Sequence, residues 1–428
     1  MRKATVSLAL LAAVVTATPV LAAQARPARA PGTDRGTNIL VVGIDSRAGL
    51  SRAEINRLHV GGKGCNCTDV MMLVHLSADE RRASVVSVPR DSLVEYATGT
   101  TPAPQGKING AFAAGGRELT VRTVEKVTGL HVDHYLQTDF AGFEKAVDAL
   151  GGATICADKP MKDENSGLDI APGVHDTDGR NSLYYVRARH VSAHPGDLGR
   201  VRRQQRFVAN LLGRLRAQGA LAGPLSTART ARALLRSVRT DPGTTLEDLV
   251  RIGWALGSLR PEQTEFVTVP MSEFDRRVPG VGSTLVWHQS RSDALWAALA
   301  ADRPVTGDPR ITADDAAPAQ PSAIRVRADE PAVAAALRAG GFPVTATPAP
   351  TSRPAGPPVI RYAPGAEEGA STLAAALPGA RLVPVAGHDD GFDVAVGAAP
   401  VQVRKVVYDR NVVEGAPVPG SRLACPGM

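Results

Sequence analysis

Carboxylate and guanidinium side chains stand at the ends of apolar segments in the first quarter of the chain. Asp45 directly follows one apolar segment, Arg90 and Asp91 follow another, and Asp69 opens the segment between them. In open α/β sheets the ligand crevice lies outside the carboxyl ends of the strands. We therefore expect Asp45, Arg90 and Asp91 at one edge of a sheet. Asp69 joins them only if its strand is antiparallel, which the sequence leaves open.

Further along the chain, five side chains have the chemistry of phosphate ligands: Arg187, Arg189, Arg200, Arg203 and Gln204. Arginine is suited to bidentate recognition of phosphate. Arg200 and Arg203 are three residues apart and share a helix face. Arg187 and Arg189 share a face only in an extended segment. Ser92 lacks a partnered His and is a poor triad nucleophile. The pattern predicts phosphate chemistry by positioning and charge stabilisation, with a divalent cation held by aspartate.

Basic charge is concentrated in one segment of the 428-residue chain. Lys and Arg number 49 against 42 Asp and Glu, a net charge of +7. Residues 180–239 contain 13 Arg and one acidic residue. Such a segment suits a polyanion, including nucleic acid. Aromatic residues make up only 4% of the chain, and few accompany the arginines.

The apolar pattern predicts strands that alternate with helices. The expected strands are 38–44, 70–76, 83–88, 134–138, 153–157 and 265–269, and the expected helices are 118–128, 140–150, 179–188, 199–217, 245–259 and 293–301. This alternation predicts an α/β fold, a layered sheet with helices on both faces. A smaller α/β C-terminal domain follows it.

Composition divides the chain into an N-terminal segment, two domains and their connections. Residues 1–25 combine a basic start with an apolar run and small residues, the pattern of a secretory signal peptide, with an uncleaved anchor as the alternative. The remaining predicted boundaries are a linker at 26–36, a main domain at 37–301, a linker at 302–322, a C-terminal domain at 323–400 and a tail at 401–428. The body is then extracytoplasmic, either secreted or anchored to the outer face of the cytoplasmic membrane or cell wall. ATP is scarce there, so a bond-forming reaction needs an activated donor.

The four cysteines, Cys65, Cys67, Cys156 and Cys425, suggest disulfides in an exported chain. Cys65 and Cys67 are too close for an unstrained ring, which favours longer-range partners. A metal site is the alternative, although no second C-x-C motif or paired His lies nearby. The sequence leaves the pairing open.

Taken in order, these motifs resemble the LytR-CpsA-Psr family of cell-wall glycopolymer ligases. The matching stretches are 38–47, 68–71, 88–92, 107–109 with Gly115 and Gly116, 138–143, 147–152, 183–189 and 197–205. Their order and spacing extend over about residues 38–212. Residues 324–397 resemble the LytR-type accessory domain of actinobacterial members, without its usual Gly-rich loop after Val326.

The resemblance implies a phosphotransferase that acts at the membrane surface. Such enzymes move a glycopolymer, with its linking phosphate, from a polyprenyl pyrophosphate onto a sugar hydroxyl of peptidoglycan. Polyprenyl phosphate leaves, and Mg²⁺ or Mn²⁺ is the expected cation. Nucleic acid is not an expected partner.

Carried over position by position, the resemblance also assigns roles. The expected pyrophosphate ligands are Arg90, Arg187, Arg189, Arg200 and Arg203, with Gln204 beside them. The expected metal ligands are Asp45, Asp69 and Asp91, and orienting the arginines is the alternative role of Asp45 and Asp69. The expected catalytic residues are Asp91, as general base or metal ligand, and Arg90. Many relatives have Arg where this chain has Cys67. That contact is then missing, or Lys63 or Arg47 supplies it.

Three alternative functions remain. A lipid pyrophosphate pyrophosphatase differs only in that water attacks instead of a sugar. A non-catalytic lipid-binding scaffold of the wall retains its ligand without turnover. A nucleic-acid-binding regulator uses the basic segment, but the predicted signal peptide argues against it.

Overall fold

A computed structural model describes residues 35–62, 64–100, 104–191, 196–348, 356–397 and 401–426. The predicted signal peptide at 1–25 and all but the end of the predicted linker at 26–36 lie outside these residues. In the described part of the chain, no helix has both the length and the apolar character to span a membrane.

Strands and helices alternate through the first 300 residues. They are β1 (Thr37–Ile44), α1 (Arg52–Arg57), β2 (Thr68–Leu76), β3 (Ala83–Ser87), β4 (Leu93–Glu95), β5 (Gln105–Lys107), α2 (Gly110–Thr128), β6 (His134–Thr138), α3 (Phe140–Ala149), β7 (Ala153–Ala157), β8 (Met161–Asp163), β9 (Leu168–Ile170), β10 (Gly173–Thr177), α4 (Gly179–Arg187), α5 (Gly196–Ala217), α6 (Pro224–Leu234), β11 (Arg239–Thr240), α7 (Leu246–Ser258), β12 (Thr264–Thr268), β13 (Met271–Val278), β14 (Gly282–Trp287) and α8 (Gln289–Ala300).

The remainder forms a second, smaller set of elements. They are β15 (Ala316–Ala317), β16 (Val326–Ala328), α9 (Pro331–Ala339), β17 (Val344–Ala346), β18 (Val359–Tyr362), α10 (Glu367–Ala376), β19 (Arg381–Pro384), β20 (Phe392–Ala395), β21 (Val407–Tyr408), α11 (Arg410–Glu414) and β22 (Val418–Pro419). Five of these strands form a separate sheet in the order β17-β16-β20-β18-β19. The predicted second α/β domain is therefore confirmed.

The central sheet has seven strands in the order β11-β6-β1-β2-β3-β12-β22. β2 is antiparallel to both β1 and β3, whereas β6 is parallel to β1 and β12 is parallel to β3. Because β2 is reversed, its first residues lie beside the last residues of β1 and β3. Asp69 therefore lies at the same edge as Asp45 and Arg90. Of the two orientations that the sequence left open, the antiparallel one is present.

Neighbouring strand residues pack against helices on opposite faces of this sheet. Leu73 packs in one cluster with Leu295 of α8, whereas the adjacent Met72 packs in another with Val208 of α5. This follows from the two-residue period of a strand. The predicted layered sheet with helices on both faces is confirmed.

Helix α5 is tied to the sheet by a buried amide. Gln205 is fully buried, and its Nε2 donates to Ser87 Oγ at 3.1 Å and to Thr268 Oγ1 at 3.2 Å. These hydroxyls lie at the ends of β3 and β12. The first turns of α5 consequently lie near the sheet edge that carries Asp45 and Arg90.

The segments predicted as a second linker and a tail are folded parts of the molecule. Val305 and Ile311, within the predicted 302–322 linker, are buried in the core of the first domain. In the predicted 401–428 tail, β22 pairs with β12 and extends the central sheet. The C-terminal segment is folded for a physical reason. Without β22, the strand β12 would be an unpaired edge of the central sheet.

The cysteines form two disulfides, Cys65–Cys67 and Cys156–Cys425. The expectation that Cys65 and Cys67 find longer-range partners is wrong. Between them Asn66 adopts a positive φ of 48°, a left-handed conformation that Asn tolerates. The two Cα atoms are then 5.1 Å apart, within the usual range for a disulfide. With all four cysteines paired, no thiolate remains for the alternative metal site.

Candidate active site

A cavity of about 440 Å³ opens at the sheet edge where β1 and β3 end. Six of the residues predicted from sequence lie together in its wall: Asp45, Asp69, Arg90, Arg187, Arg189 and Arg200. The rest of the lining is Arg47, Cys65, Phe140, Asp163, Asn165, Ser166 and His190. The structure therefore joins motifs that are up to 155 residues apart in the sequence.

On the strand side of the cavity, each of two carboxylates is paired with an arginine. Arg47 Nε lies 3.2 Å from Asp45 Oδ1, and its Nη2 lies 3.4 Å from Asp45 Oδ2. Arg90 Nη1 lies 2.6 Å from Asp69 Oδ1. A guanidinium has five N–H donors. These ion pairs therefore orient each arginine and leave N–H donors on the same side chain for contact with a phosphate.

Cys67 supports this wall through its backbone. Its carbonyl oxygen accepts the N–H of Asp45 at 2.9 Å, so the short disulfide loop fixes the chain next to that carboxylate. Of the two side chains expected to replace the missing arginine, Arg47 lines the cavity. Lys63 lies outside the described residues.

The opposite wall is built around Arg187, the last residue of α4. Its Nη1 donates to Leu58 O at 2.9 Å and its Nη2 donates to His59 O at 3.0 Å. The guanidinium carbon lies 4.9 Å from the centre of the Phe140 ring. Burial lowers the pKa of Arg187, while Asp69 and the other carboxylate across the cavity act in the opposite direction. Arg187 is thus held by backbone carbonyls and faces the paired carboxylates.

Asp163 positions the chain that carries Arg189 and His190. It is 3% exposed, and its Oδ2 accepts the backbone N–H groups of Arg189 at 2.5 Å and His190 at 3.2 Å. Asn165 N donates to Oδ1 at 3.0 Å. Burial raises the pKa of Asp163, but these hydrogen bonds outweigh it and hold the pKa below its usual value. Asp163 was not among the site residues predicted from the sequence.

Helix α5 contributes one residue to the lining of the cavity, and two others hydrogen-bond to the end of α4. Arg200 is 5% exposed and lines the cavity. Arg203 Nη2 donates to Ala188 O, and Gln204 Nε2 donates to Val186 O at 3.1 Å. The last carbonyls of a helix lack intrahelical partners and attract nearby donors. Arg203 and Gln204 were expected to be pyrophosphate ligands, but neither lines the cavity and both hold the end of α4.

Asp91 lies beside the cavity and not in its lining. Lys107 Nζ is 2.9 Å from Asp91 Oδ1, and Arg90 Nε is 3.6 Å from Asp91 Oδ2. The backbone carbonyl of Asp91 accepts the N–H of Leu285 at 2.9 Å. The carboxylate that we expected to act as base or metal ligand is therefore paired with a lysine in this structure.

A narrow, largely apolar crevice adjoins the cavity. The two linings share Asp69, Arg90 and Arg200. The apolar part of the crevice consists of Val70, Met71, Val88, Pro89, Val201 and Leu285, and its polar part includes Asp91 and Gln204. Apolar side chains therefore lie directly beside Arg90 and Arg200.

Two of the three predicted metal ligands suit a shared cation. Asp45 and Asp69 line the cavity, whereas Asp91 does not. Within the described residues, no three His, Cys, Asp or Glu side chains form a group that could hold a metal ion by themselves. Mg²⁺ commonly takes one or two carboxylates and completes its shell with substrate phosphates and water. If a cation of that kind binds with the substrate, Asp45 and Asp69 are the residues that would hold it.

The chain is similar to known protein families and to curated relatives. Residues 14–301 match the model of the LytR-CpsA-Psr family, and residues 331–399 match that of the LytR cell envelope-related transcriptional attenuator. The chain is 35% identical over 277 residues to LcpB of Corynebacterium glutamicum, a probable cell wall biosynthesis protein, and 29% identical over 276 residues to LcpA of the same organism. These matches cover 64% and 56% of this chain. They span 64% of LcpB and 51% of LcpA.

The fold is similar to that of a solved structure, Bacillus subtilis TagV. The TM-score is 0.52 at 22% identity, and the match covers 63% of this chain and 98% of TagV. The family model spans 288 residues, from 14 to 301, which is more than half of the 428-residue chain. On this evidence, the chain belongs to the LytR-CpsA-Psr family.

Proposed function

We propose that the protein transfers a glycopolymer, with its linking phosphate, from a polyprenyl pyrophosphate onto a sugar hydroxyl of peptidoglycan. The observation that carries the proposal is the convergence of five arginines on one cavity: Arg47, Arg90, Arg187, Arg189 and Arg200. A pyrophosphate is a compact polyanion, and charge-assisted guanidinium contacts suit it. The relatives named as cell wall biosynthesis proteins support the same assignment.

The adjoining crevice supports a lipid-linked donor. Arg90 and Arg200 line both spaces, so a pyrophosphate between them has an apolar wall on one side. The crevice holds only about 10 Å³ in this structure. The first isoprenyl units of the carrier would therefore enter it only if side chains around it, such as Val88 and Val201, moved apart.

In the proposed reaction, the acceptor hydroxyl oxygen attacks the phosphorus that carries the glycopolymer. The bond from this phosphorus to the bridging oxygen breaks, and polyprenyl phosphate leaves. The arginines stabilise charge on the phosphate oxygens in the transition state. Mg²⁺ held by Asp45 and Asp69 would supply further charge neutralisation. The hydroxyl proton passes to Asp45 or Asp69, which line the cavity as Asp91 does not. The carboxylate that takes the proton would then no longer hold the cation.

The extracytoplasmic location remains part of the proposal. Two disulfides suit an oxidising compartment. The nucleic-acid alternative receives less support, because several arginines of the basic segment bind other parts of the same chain. Arg214, for example, pairs with Asp176 and donates to Gly151 O at 2.9 Å.

The test is an assay with the purified full chain, a polyprenyl pyrophosphate-linked oligosaccharide and uncross-linked peptidoglycan. We expect a phosphodiester-linked product and an equal amount of polyprenyl phosphate. Release of oligosaccharide phosphate without glycan attachment would identify a pyrophosphatase. Retained lipid without turnover would identify a binding scaffold, and either result would overturn the proposal.

A further inference from the structure

A second cavity, of about 350 Å³, lies behind the loop that carries Asp45. Asp45 and Arg47 line the candidate active site, whereas the alternate residues Ser46 and Ala48 line the second cavity. The start of α3 also contributes to both cavities. Phe140 lines the first cavity, whereas Asp139 and Ala141 line the second. One layer of chain therefore separates the two spaces.

Three cations, Lys145, Arg236 and Arg239, line the second cavity. All three are exposed. In the described part of the chain, none of them forms a salt bridge or a side-chain hydrogen bond. They differ in this from Arg47 and Arg90 of the active site, which are held by carboxylates. The cations of the second cavity are available to a ligand.

The two carboxylates of this lining are committed to helix ends. Glu54 Oε2 accepts the N–H of Ser51 at 2.8 Å in the capping box of α1. Asp139 Oδ1 accepts the N–H of Gly142 at 2.8 Å as the N-cap of α3. Apolar contacts are also present, and Leu235, which is 38% exposed, is one of them. This combination suits an anionic ligand that also has apolar faces.

The position of the second cavity adds a geometric argument. The apolar crevice adjoins the active site on the side of β2, β3 and α5, whereas the second cavity adjoins it on the side of β1, α3 and β11. In the sheet, β6 and β11 lie on one side of β1, whereas β2 and β3 lie on its other side. Phosphoryl transfer requires the attacking and leaving oxygens to be roughly in line. A lipid phosphate that leaves towards the crevice requires an acceptor from the opposite side.

We propose that the second cavity binds the acceptor, as a subsite for the carboxylate-bearing glycan of peptidoglycan. The proposal rests on the function proposed above. Carboxylates of the stem peptides, or of lactyl groups that carry no peptide, meet Lys145, Arg236 and Arg239, and the apolar faces of the sugars pack against Leu50 and Leu235. The loop from Asp45 to Leu50 then lies between the bound part of the glycan and the donor phosphate. The sugar that carries the attacking hydroxyl is therefore a neighbouring unit of the same glycan that extends past this loop into the active site.

Direct binding tests this proposal without turnover. The probes are soluble uncross-linked peptidoglycan fragments and an uncharged N-acetylglucosamine tetramer, measured by calorimetry with the full chain. Arg236→Glu/Arg239→Glu should weaken binding of the fragments at least tenfold. Arg229→Glu/Arg232→Glu removes the same charge from exposed positions of α6 outside the cavity and should change it less than twofold. Equal losses in the two double variants, or equally tight binding of the uncharged tetramer by the wild type, would overturn the proposal.

A second arm separates this inference from the function on which it rests. Affinity for polyprenyl pyrophosphate alone should stay within twofold in Arg236→Glu/Arg239→Glu, while the KM for peptidoglycan in transfer rises at least tenfold. A parallel loss of donor affinity would reject the acceptor subsite. If the wild type transfers nothing to any acceptor, the proposed function fails, and the fragment-binding result still decides whether the cavity recognises the carboxylated glycan.

Discussion

Five guanidiniums can occupy one cavity only because carboxylates and carbonyl oxygens lie between them. Asp45 and Asp69 are paired with Arg47 and Arg90, and Arg187 is held by two backbone carbonyls. Without these partners, like charges at such short range would repel one another strongly in a half-buried site. The donors are thus oriented before the substrate arrives, so little reorganisation is needed in the transition state.

Arg200 offers the clearest test of an individual ligand. Its side chain is buried and lines both the cavity and the crevice. Arg200→Ala should lower kcat/KM for the lipid donor by roughly 10²-fold, because a charge-assisted contact that is strongest in the transition state is lost. The matched control is Arg206→Ala on the same helix, whose partner Asp158 is exposed. Equal losses in both variants would point to diffuse attraction instead of a discrete site.

Cation dependence is a second test at this scale. If Asp45 and Asp69 hold a divalent ion with the pyrophosphate, EDTA should lower transfer at least tenfold and Mg²⁺ or Mn²⁺ should restore it. Binding of Mn²⁺ to the full chain with pyrophosphate, followed by electron paramagnetic resonance, should weaken in Asp69→Asn. Full activity in chelator would remove the metal role from both residues.

Asp163 links the stability of the site to pH. Its pKa is held below the usual value by backbone N–H groups. The stabilisation is therefore fully present above the unfolded-state pKa of about 4 and is lost as the pH falls through the lower folded-state pKa. Asp163→Asn should lower the free energy of unfolding by about 1.5–3 kcal/mol at pH 7. The difference in this free energy between wild type and variant should become smaller below about pH 4. Unfolding followed by circular dichroism measures both.

The control for that variant is Asp169→Asn. Asp169 pairs with Lys162 at 3.7 Å, and both side chains are mostly exposed. An exposed pair of this kind contributes little, so its loss should be nearly neutral at every pH. A pH-independent gap for Asp163→Asn would mean that the carboxylate acts only through packing.

Sequence reasoning found the site residues that belong to recognisable motifs and missed those that act through folded contacts. Asp45 and Arg90 stand at strand ends, which the apolar pattern shows directly. Asp163 lies in a three-residue strand, β8, too short to give a periodic signal. One clue was available, because Met161 and Asp163 fall on the same face of an extended segment. That Arg203 bonds the end of α4 could not be predicted, since it depends on how two helices cross.

At the scale of elements, one amide fixes the helix that delivers Arg200. Gln205 bonds hydroxyls from two strands, Ser87 of β3 and Thr268 of β12. Most of the long strands and helices were predicted, because each has many apolar residues in one period. Helix α6 and the first half of α2 were not predicted. The short pairs β4–β5 and β8–β9 were missed, as was the β13–β14 hairpin, whose first strand has five exposed residues out of eight. The relation of α5 to the sheet was also beyond prediction, because polar buried contacts leave no hydrophobic pattern.

Gln205→Ala should therefore destabilise the protein strongly. The change leaves two buried hydroxyls without their partner and opens a small cavity, at a combined cost of about 2–5 kcal/mol. Urea unfolding monitored by fluorescence measures it. Gln218→Ala, at an exposed position just after α5, serves as the control and should be within about 0.5 kcal/mol of wild type. A small effect of Gln205→Ala would show that apolar packing alone positions α5.

At the scale of the whole molecule, the C-terminal part completes the first domain. Glu265 of β12 accepts the N–H of Thr306 at 2.9 Å and of Val305 at 3.2 Å. Arg291 of α8 pairs with Asp409. Asn210 of α5 accepts the N–H of Cys425 at 2.8 Å. The boundary at residue 301, which composition and the family match both suggest, is therefore not a boundary of stability.

A chain truncated after Ala301 should be insoluble or unfold at least 10 °C below the full chain. It would lose the N–H donors to the buried Glu265, the buried Val305 and the β22 strand that covers β12. Cys425→Ser keeps all of these and removes only the disulfide, so it should fold and retain activity, with a smaller loss of stability. Solubility, differential scanning calorimetry and transfer activity compare the two. A truncated chain as stable as the full one would contradict this view.

The Cys156–Cys425 bond also sets an order of events in time. The two cysteines are 269 residues apart, so at about 5–20 residues per second the second one is made roughly 15–50 s after the first. Cys65 and Cys67 are only two residues apart, so they can close locally once the chain is in an oxidising compartment. If they close first, Cys425 is the one cysteine that remains for Cys156. The local pairing thus reduces the number of wrong disulfides that this chain can form.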